Sequence, residues 1–167
     1  MRGQGIHYAL DIVERDVLDE IKSNRALLSF TELIMRGRDK KWYQETDKAW
    51  EAIHRCLADG TFDYRWSADP LYNCILSGDN LYDGQPETYY VTHLTPPEVK
   101  EVAAAIESIT KDEMRRRYFA IDPKDYENAL SESDFEYTWH WFVPLRAFFQ
   151  RAAENERGML FLGELLH

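Results

Sequence analysis

Thr88-Tyr89-Tyr90-Val91-Thr92-His93-Leu94-Thr95-Pro96-Pro97-Glu98-Val99 holds the transition that decides the fold. Its first half is rich in β-branched and aromatic residues, and alternation puts Tyr89, Val91 and His93 on one face of a strand. The rule then changes within one residue. Thr95 can accept a hydrogen bond from a free backbone amide, Pro96 suits the first helical position, and Glu98 stands three residues after the cap. Val99, Val102, Ala103 and Ile106 recur at helical spacing, which predicts a helix over 96–108.

The same two periodicities organise the rest of the chain. Ile6, Tyr8, Leu10 and Ile12 alternate with His7, Ala9 and Asp11, which predicts a half-buried strand over 6–12. Met159 to Leu162 is a short unbroken apolar run after Gly158 and reads as a buried strand. Val17, Leu18 and Ile21 return to helical spacing, and an apolar stretch of unclear period follows from Leu27 to Met35. Thr46 is read as a helix cap with Asp47 in the first turn, Trp50, Ile53, His54 and Leu57 as the apolar stripe, and Gly60 as the stop, giving a helix over 46–59. Residues 60–87 are rich in turn residues, with a helical turn or two expected near Leu71 to Leu76. Thr110 opens a short helix, and Ser133-Asp134-Phe135-Glu136 opens the longest one, 133–155, which Pro144 is expected to kink. The expected fold is α+β: a small sheet of three or more strands (6–12, 88–94, 159–162) packed with several helices around one large core, in a single domain over 1–167.

Composition narrows the function classes. The chain has 167 residues, 44% apolar and 30% charged, with a formal charge of −10. A domain of that size needs no disulfide or metal to hold its core. The acidic balance argues against nucleic acid, which needs a basic face, and favours a basic protein partner such as a toxin or nuclease. The basic clusters are confined to residues 36–41 and to Arg115-Arg116-Arg117, which suits the last turn of a helix. Nothing reads as a signal peptide or a membrane span, and Cys56 and Cys74 lack disulfide-framework or C-x-x-C spacing. A cytoplasmic protein with reduced thiols is expected. Oligomeric state leaves no mark in the sequence.

Motifs for cofactors and metals are missing. Gly3-Gln4-Gly5 lacks the third glycine of a dinucleotide fingerprint and precedes a strand instead of following one. Asp79-Asn80-Leu81-Tyr82-Asp83-Gly84 places leucine where a calcium loop needs oxygen. The best candidate binding residues are Asp47, Trp50 and His54, at i, i+3 and i+7 of the expected helix, with Asp69 in the following turn-rich segment. Asp47 and His54 would stand two turns apart, about 10 Å, too far to bond directly. His7 and His93 form a second candidate pair, able to meet if their strands are neighbours, with His54 or Asp69 as a further metal ligand. Cys74, Ser77 and the aromatic run Trp139-His140-Trp141 carry no supporting motif.

Several pieces, in order, resemble the YfbM-like family of bacterial proteins, a domain of unknown function. They are Met1 to Tyr8, Asp47-Lys48-Ala49-Trp50-Glu51-Ala52-Ile53-His54, Asp69-Pro70-Leu71, Leu76-Ser77-Gly78, Leu94-Thr95-Pro96-Pro97-Glu98-Val99, Leu145-Arg146-Ala147-Phe148-Phe149 and Met159-Leu160-Phe161. Residues 20–44 and 119–132 do not contribute, and Pro144 departs from the pattern. The resemblance implies a compact bacterial α+β domain and supplies no reaction. The expected function is a non-catalytic binding or protein-interaction domain; the alternative is a small enzyme using His54 as general acid or base in a pocket near Trp50 and Asp69.

Overall fold

The computed structural model describes residues 2–21, 23–35, 38–62, 66–78, 80–82 and 88–165. Strand β1 is Arg2–Leu10. It stops two residues short of the expected end because Asp11 and Glu14 form a reciprocal capping box, which moves Ile12 from the expected strand into helix α1, Ile12–Glu20. The apolar stretch of unclear period becomes helix α2, Asn24–Met35. Strand β2, Tyr43–Asp47, was not foreseen in the sequence. Helix α3 is Trp50–Leu57, and strand β3 is Tyr89–Leu94. Helix α4, Pro96–Glu107, carries the capping box of Thr95 and Glu98 read from the sequence. Helices α5, Lys111–Phe119, and α6, Glu132–Glu154, precede strand β4, Gly158–Leu165. Helix α6 starts from Ser131, whose hydroxyl accepts from the Asp134 amide, and runs on past Pro144.

The four strands form one antiparallel sheet in the order β2-β1-β4-β3. Alternation along the strands separates its faces. On one face, His7 aligns with Phe161 and Phe161 with Thr92. This face packs on α3, α4, α5 and α6 and forms the large core, centred on Trp50, Phe142, Phe149 and Phe161. On the other face, Tyr8 aligns with Leu160 and Leu160 with His93. There Ile6, Tyr8, Leu10 and Leu160 meet Leu18 of α1 and Leu27, Phe30 and Ile34 of α2. The expected single core is therefore corrected: one sheet carries a large core on one side and a smaller one on the other.

Helix α3 differs from the sequence reading in two ways. Thr46 does not cap it. The hydroxyl of Thr46 donates to the Gly5 carbonyl across the β1–β2 pair, at 3.2 Å, so the residue belongs to the sheet and the helix begins at Trp50. Gly60 does end the helical segment, at a φ of 90°. The second difference is that no face of α3 meets solvent: all eight residues are buried. Glu51 and Arg55, off the predicted apolar stripe, pair with each other at 3.1 Å. Arg55 also donates to the carbonyls of Gly60 and Asp125 and stacks over Phe62. A buried charge persists when partnered in this way.

Trp50 locks this helix to the sheet. Its indole donates to the Gly3 carbonyl at 3.0 Å. It lies over the cross-strand pair Gly5 and Gly163, where a Cβ on Gly5 would come within 2.6 Å of the indole ring and one on Gly163 within 3.2 Å. Of the glycines near the start of the chain, Gly5 makes room for the indole and Gly3 supplies the carbonyl that it donates to.

Candidate functional site

The candidate residues from the sequence divide between interior and surface. Trp50 is fully buried and His54 is 2% exposed, both within α3. Asp47 is not on that helix. It ends β2 at a left-handed φ of 47°, and its carboxylate accepts the Tyr137 hydroxyl of α6 at 2.5 Å. The predicted i, i+3, i+7 face is thus broken at its first member. Asp69 is exposed and caps a 3-10 turn, Pro70–Asn73, by accepting from the Leu71 amide at 3.0 Å. Both carboxylates hold local structure, and His54 sits inside a core helix. Replacing His54 with glutamine is expected to lower the melting temperature. A thermal melt showing no change would return His54 to the functional candidates.

His7 and His93 are not neighbours. Strand β4 separates their strands, and the register places the two side chains on opposite faces. Among the described residues, no cluster of three or more His, Cys, Asp or Glu side chains is arranged to hold a metal. His7 lies wholly inside the large core, against Phe149 and Phe161. Its Nε2 donates to the Cys74 carbonyl at 3.0 Å, which leaves Nδ1 as the bare nitrogen. Burial pushes its pKa down to about 4. Ser77 and Cys74 border the same seam, which is too tight to admit a water. Burial pushes the thiol of Cys56 up to about 12 and that of Cys74 up as well, so neither resembles a reactive cysteine.

Arg38 of the first basic cluster and the three arginines of the second are engaged within the protein. Arg38 pairs with Glu14 and donates to the Ala9 and Ile34 carbonyls. Arg115 pairs with Glu132, and Arg116 and Arg117 with Glu113. Trp139 is half-buried beneath Arg146, and His140 is exposed. Arg36 and Gly37, and Asp79, Asp83 and Gly84 of the calcium-like stretch 79–84, lie outside the described residues.

The outstanding surface feature was not anticipated. On α1 and α2, Ile12, Val13, Val17, Leu33 and Met35 are exposed, with Val13 and Leu33 each 67% exposed. Between the two helices runs a groove of about 370 Å³, floored by Phe30 and Ile34, walled by Val13, Val17 and Leu33, and lined as well by the paired Glu14 and Arg38. Asp16, Asp19 and Glu20 of α1 and Glu32 of α2 are exposed on the same two helices, against Arg25 alone among their described basic residues that are exposed. The sequence did carry a signal: apolar residues at 12, 13, 17, 18 and 21 span a wider arc than one sheet face can cover. A second, smaller gap of about 120 Å³ opens between the end of α2 and strands β1 and β2, lined by Ile6, Tyr8, Met35, Tyr43 and Glu45.

These observations define an α+β domain with a four-stranded antiparallel sheet, one closed core and one partly open helical layer. No helix among the described residues is long and apolar enough to cross a membrane. The chain belongs to the family described as a domain of unknown function, DUF1877, whose model matches residues 5–162. It is similar to YfbM, a protein of unknown function from Escherichia coli, whose crystal structure superposes with a TM-score of 0.68 at 17% identity, covering 98% of this chain and 99% of that one. At that identity the likeness shows the fold alone. No curated protein matches the sequence.

Proposed function

We propose that the protein is a non-catalytic docking domain whose α1–α2 face receives a basic, amphipathic helical segment of a partner protein. The observation that carries this reading is the set of exposed apolar side chains, Val13, Val17 and Leu33, around a groove with an apolar floor. Exposed apolar groups that line a groove and are rimmed by polar ones mark interaction surfaces more often than scattered single residues do. A helix laid into such a groove presents anchors at i, i+3, i+4 and i+7. The charge of the two helices decides the partner's. Glu14 and Arg38 in the groove neutralise each other, whereas the exposed Asp16, Asp19, Glu20 and Glu32 outnumber Arg25 and attract lysine and arginine, and the net charge of −10 adds to the steering. The same acidic excess disfavours a second copy of this chain, because it would bring like charges together.

The test compares the protein with a Val17→Asp, Leu33→Asp double variant as baits. A captured protein is then produced pure and its affinity measured against both. A basic partner whose binding weakens by about tenfold or more in the variant supports the reading. Equal affinity for both baits, or self-association that the variant abolishes in sedimentation, overturns it.

A further inference from the structure

The smaller gap, beside the groove, has a chemistry of its own. Tyr8 and Tyr43 are directly opposite each other on β1 and β2, and Ile6 is opposite Glu45. Met35 closes the gap from the end of α2. Three features distinguish it from a packing defect. First, its volume of about 120 Å³ is several times the share of one water in the liquid, so a chain of a few heavy atoms fits. Second, Tyr8 is 1% exposed, yet its hydroxyl is buried without a hydrogen-bond partner. A buried hydroxyl left this way costs stability and calls for a reason. Third, the charge around it is arranged by sign. Glu45 borders the gap and is exposed, and Glu164 of β4 also acts on the phenol. The nearby cation, Arg38, stands 6.0 Å from the Tyr8 ring centre, and its guanidinium is committed to Glu14 and to the carbonyls of Ala9 and Ile34.

An apolar floor, two aromatic rings, a free hydroxyl and a carboxylate at the mouth suit one class of ligand. We propose that this gap binds a primary alkylammonium group, carried by a free amine or by a lysine side chain. The methylene chain lies along Ile6 and Met35. The ammonium is attracted to the faces of the tyrosine rings. One of its N–H groups donates to the Glu45 carboxylate and another to the Tyr8 oxygen, giving that oxygen the partner it lacks. Burial raises the pKa of Tyr8, so the phenol is neutral and does not compete as an anion. The site is independent of the α1–α2 groove, and its test leaves the groove out.

The experiment is an amide NMR titration of the intact protein with n-butylammonium chloride, beside 1-butanol as the uncharged isostere. Saturable shifts at Ile6, Tyr8, Tyr43 and Glu45 are expected in the millimolar range, as suits a ligand of so few atoms. Butanol should bind at least about fivefold more weakly, Glu45→Gln should weaken the amine by about tenfold, and Tyr8→Phe by about threefold. Glu45 is exposed on an edge strand, so its variant tests charge without disturbing a core. Val17→Asp should leave the titration unchanged, which separates failure here from failure of the groove. Nα-acetyl-lysine methylamide distinguishes the sources: binding as tight as butylammonium assigns the site to a protein lysine, and its exclusion while butylammonium still binds assigns it to a free amine. The proposal is overturned by equal binding of butanol, by indifference to Glu45→Gln, or by no saturable shift at tens of millimolar amine.

Discussion

Replacing Trp50 with alanine is expected to lower the unfolding free energy by about 3–5 kcal/mol, the range for deleting a large buried aromatic side chain. The indole is fully buried, touches Phe62, Tyr90 and Phe161, and donates to the Gly3 carbonyl. The void left behind cannot close easily. Its floor is the glycine pair Gly5 and Gly163, which has no side chains to collapse into the space. Urea denaturation with the slope held common to both proteins measures the loss. A loss under about 1 kcal/mol would mean that the sheet and α3 can repack without the indole.

Lowering the pH from 7 to 4 is expected to cost on the order of 3 kcal/mol of stability through His7 alone. The imidazole titrates near 6.5 in the unfolded chain and at about 4 in the folded protein, because burial penalises its charged form. Between those values the unfolded chain binds a proton that the native protein refuses. Stability from this residue is therefore complete above pH 6.5 and declines as the pH falls towards 4. His93, whose pKa burial also lowers, adds to the slope in the same direction. Denaturant melts from pH 7 to 4 should show a shallower dependence in His7→Leu than in the parent, with the His93→Gln variant keeping the component due to His7. Identical slopes for the parent and His7→Leu would refute the assignment.

Local signals proved readable and long-range choices did not. The capping box at Thr95 and Glu98 depends only on residues inside one turn, and it forms as the sequence indicates. The strand at 89–94 and the apolar run from 159 were legible because their composition admits few alternatives. Thr46 was not. Threonine suits a helix cap and a strand equally, and the decision rests with the Gly5 carbonyl, forty-one residues earlier in the chain. With β2 unseen, Asp47 fell on the wrong element, and its partner Tyr137 lies ninety residues away. The burial of Trp50 and His54 followed from the stripe on α3, whereas the inward turn of Glu51 and Arg55 needed the neighbours at Gly60 and Asp125. The gap beside Tyr8 could not be anticipated at all, since two of its walls belong to β2.

The strand order has a consequence for the newborn chain. The two central strands, β1 and β4, come from residues 2–10 and 158–165, so the middle of the sheet is its last part to close. During synthesis, β1 can take β2 on one edge after some forty residues, but its other edge stays open until the final strand leaves the ribosome. Strand β3 waits equally long, because its sheet neighbour is β4. The helices of the large core assemble earlier on short-range contacts and have only half a sheet to rest on. Until β4 slots between the two halves, the indole of Trp50 has just one of its two glycines beneath it. A ribosome that stalls before residue 158 therefore holds a chain with an open strand edge and an unfinished core, the kind of surface that chaperones recognise.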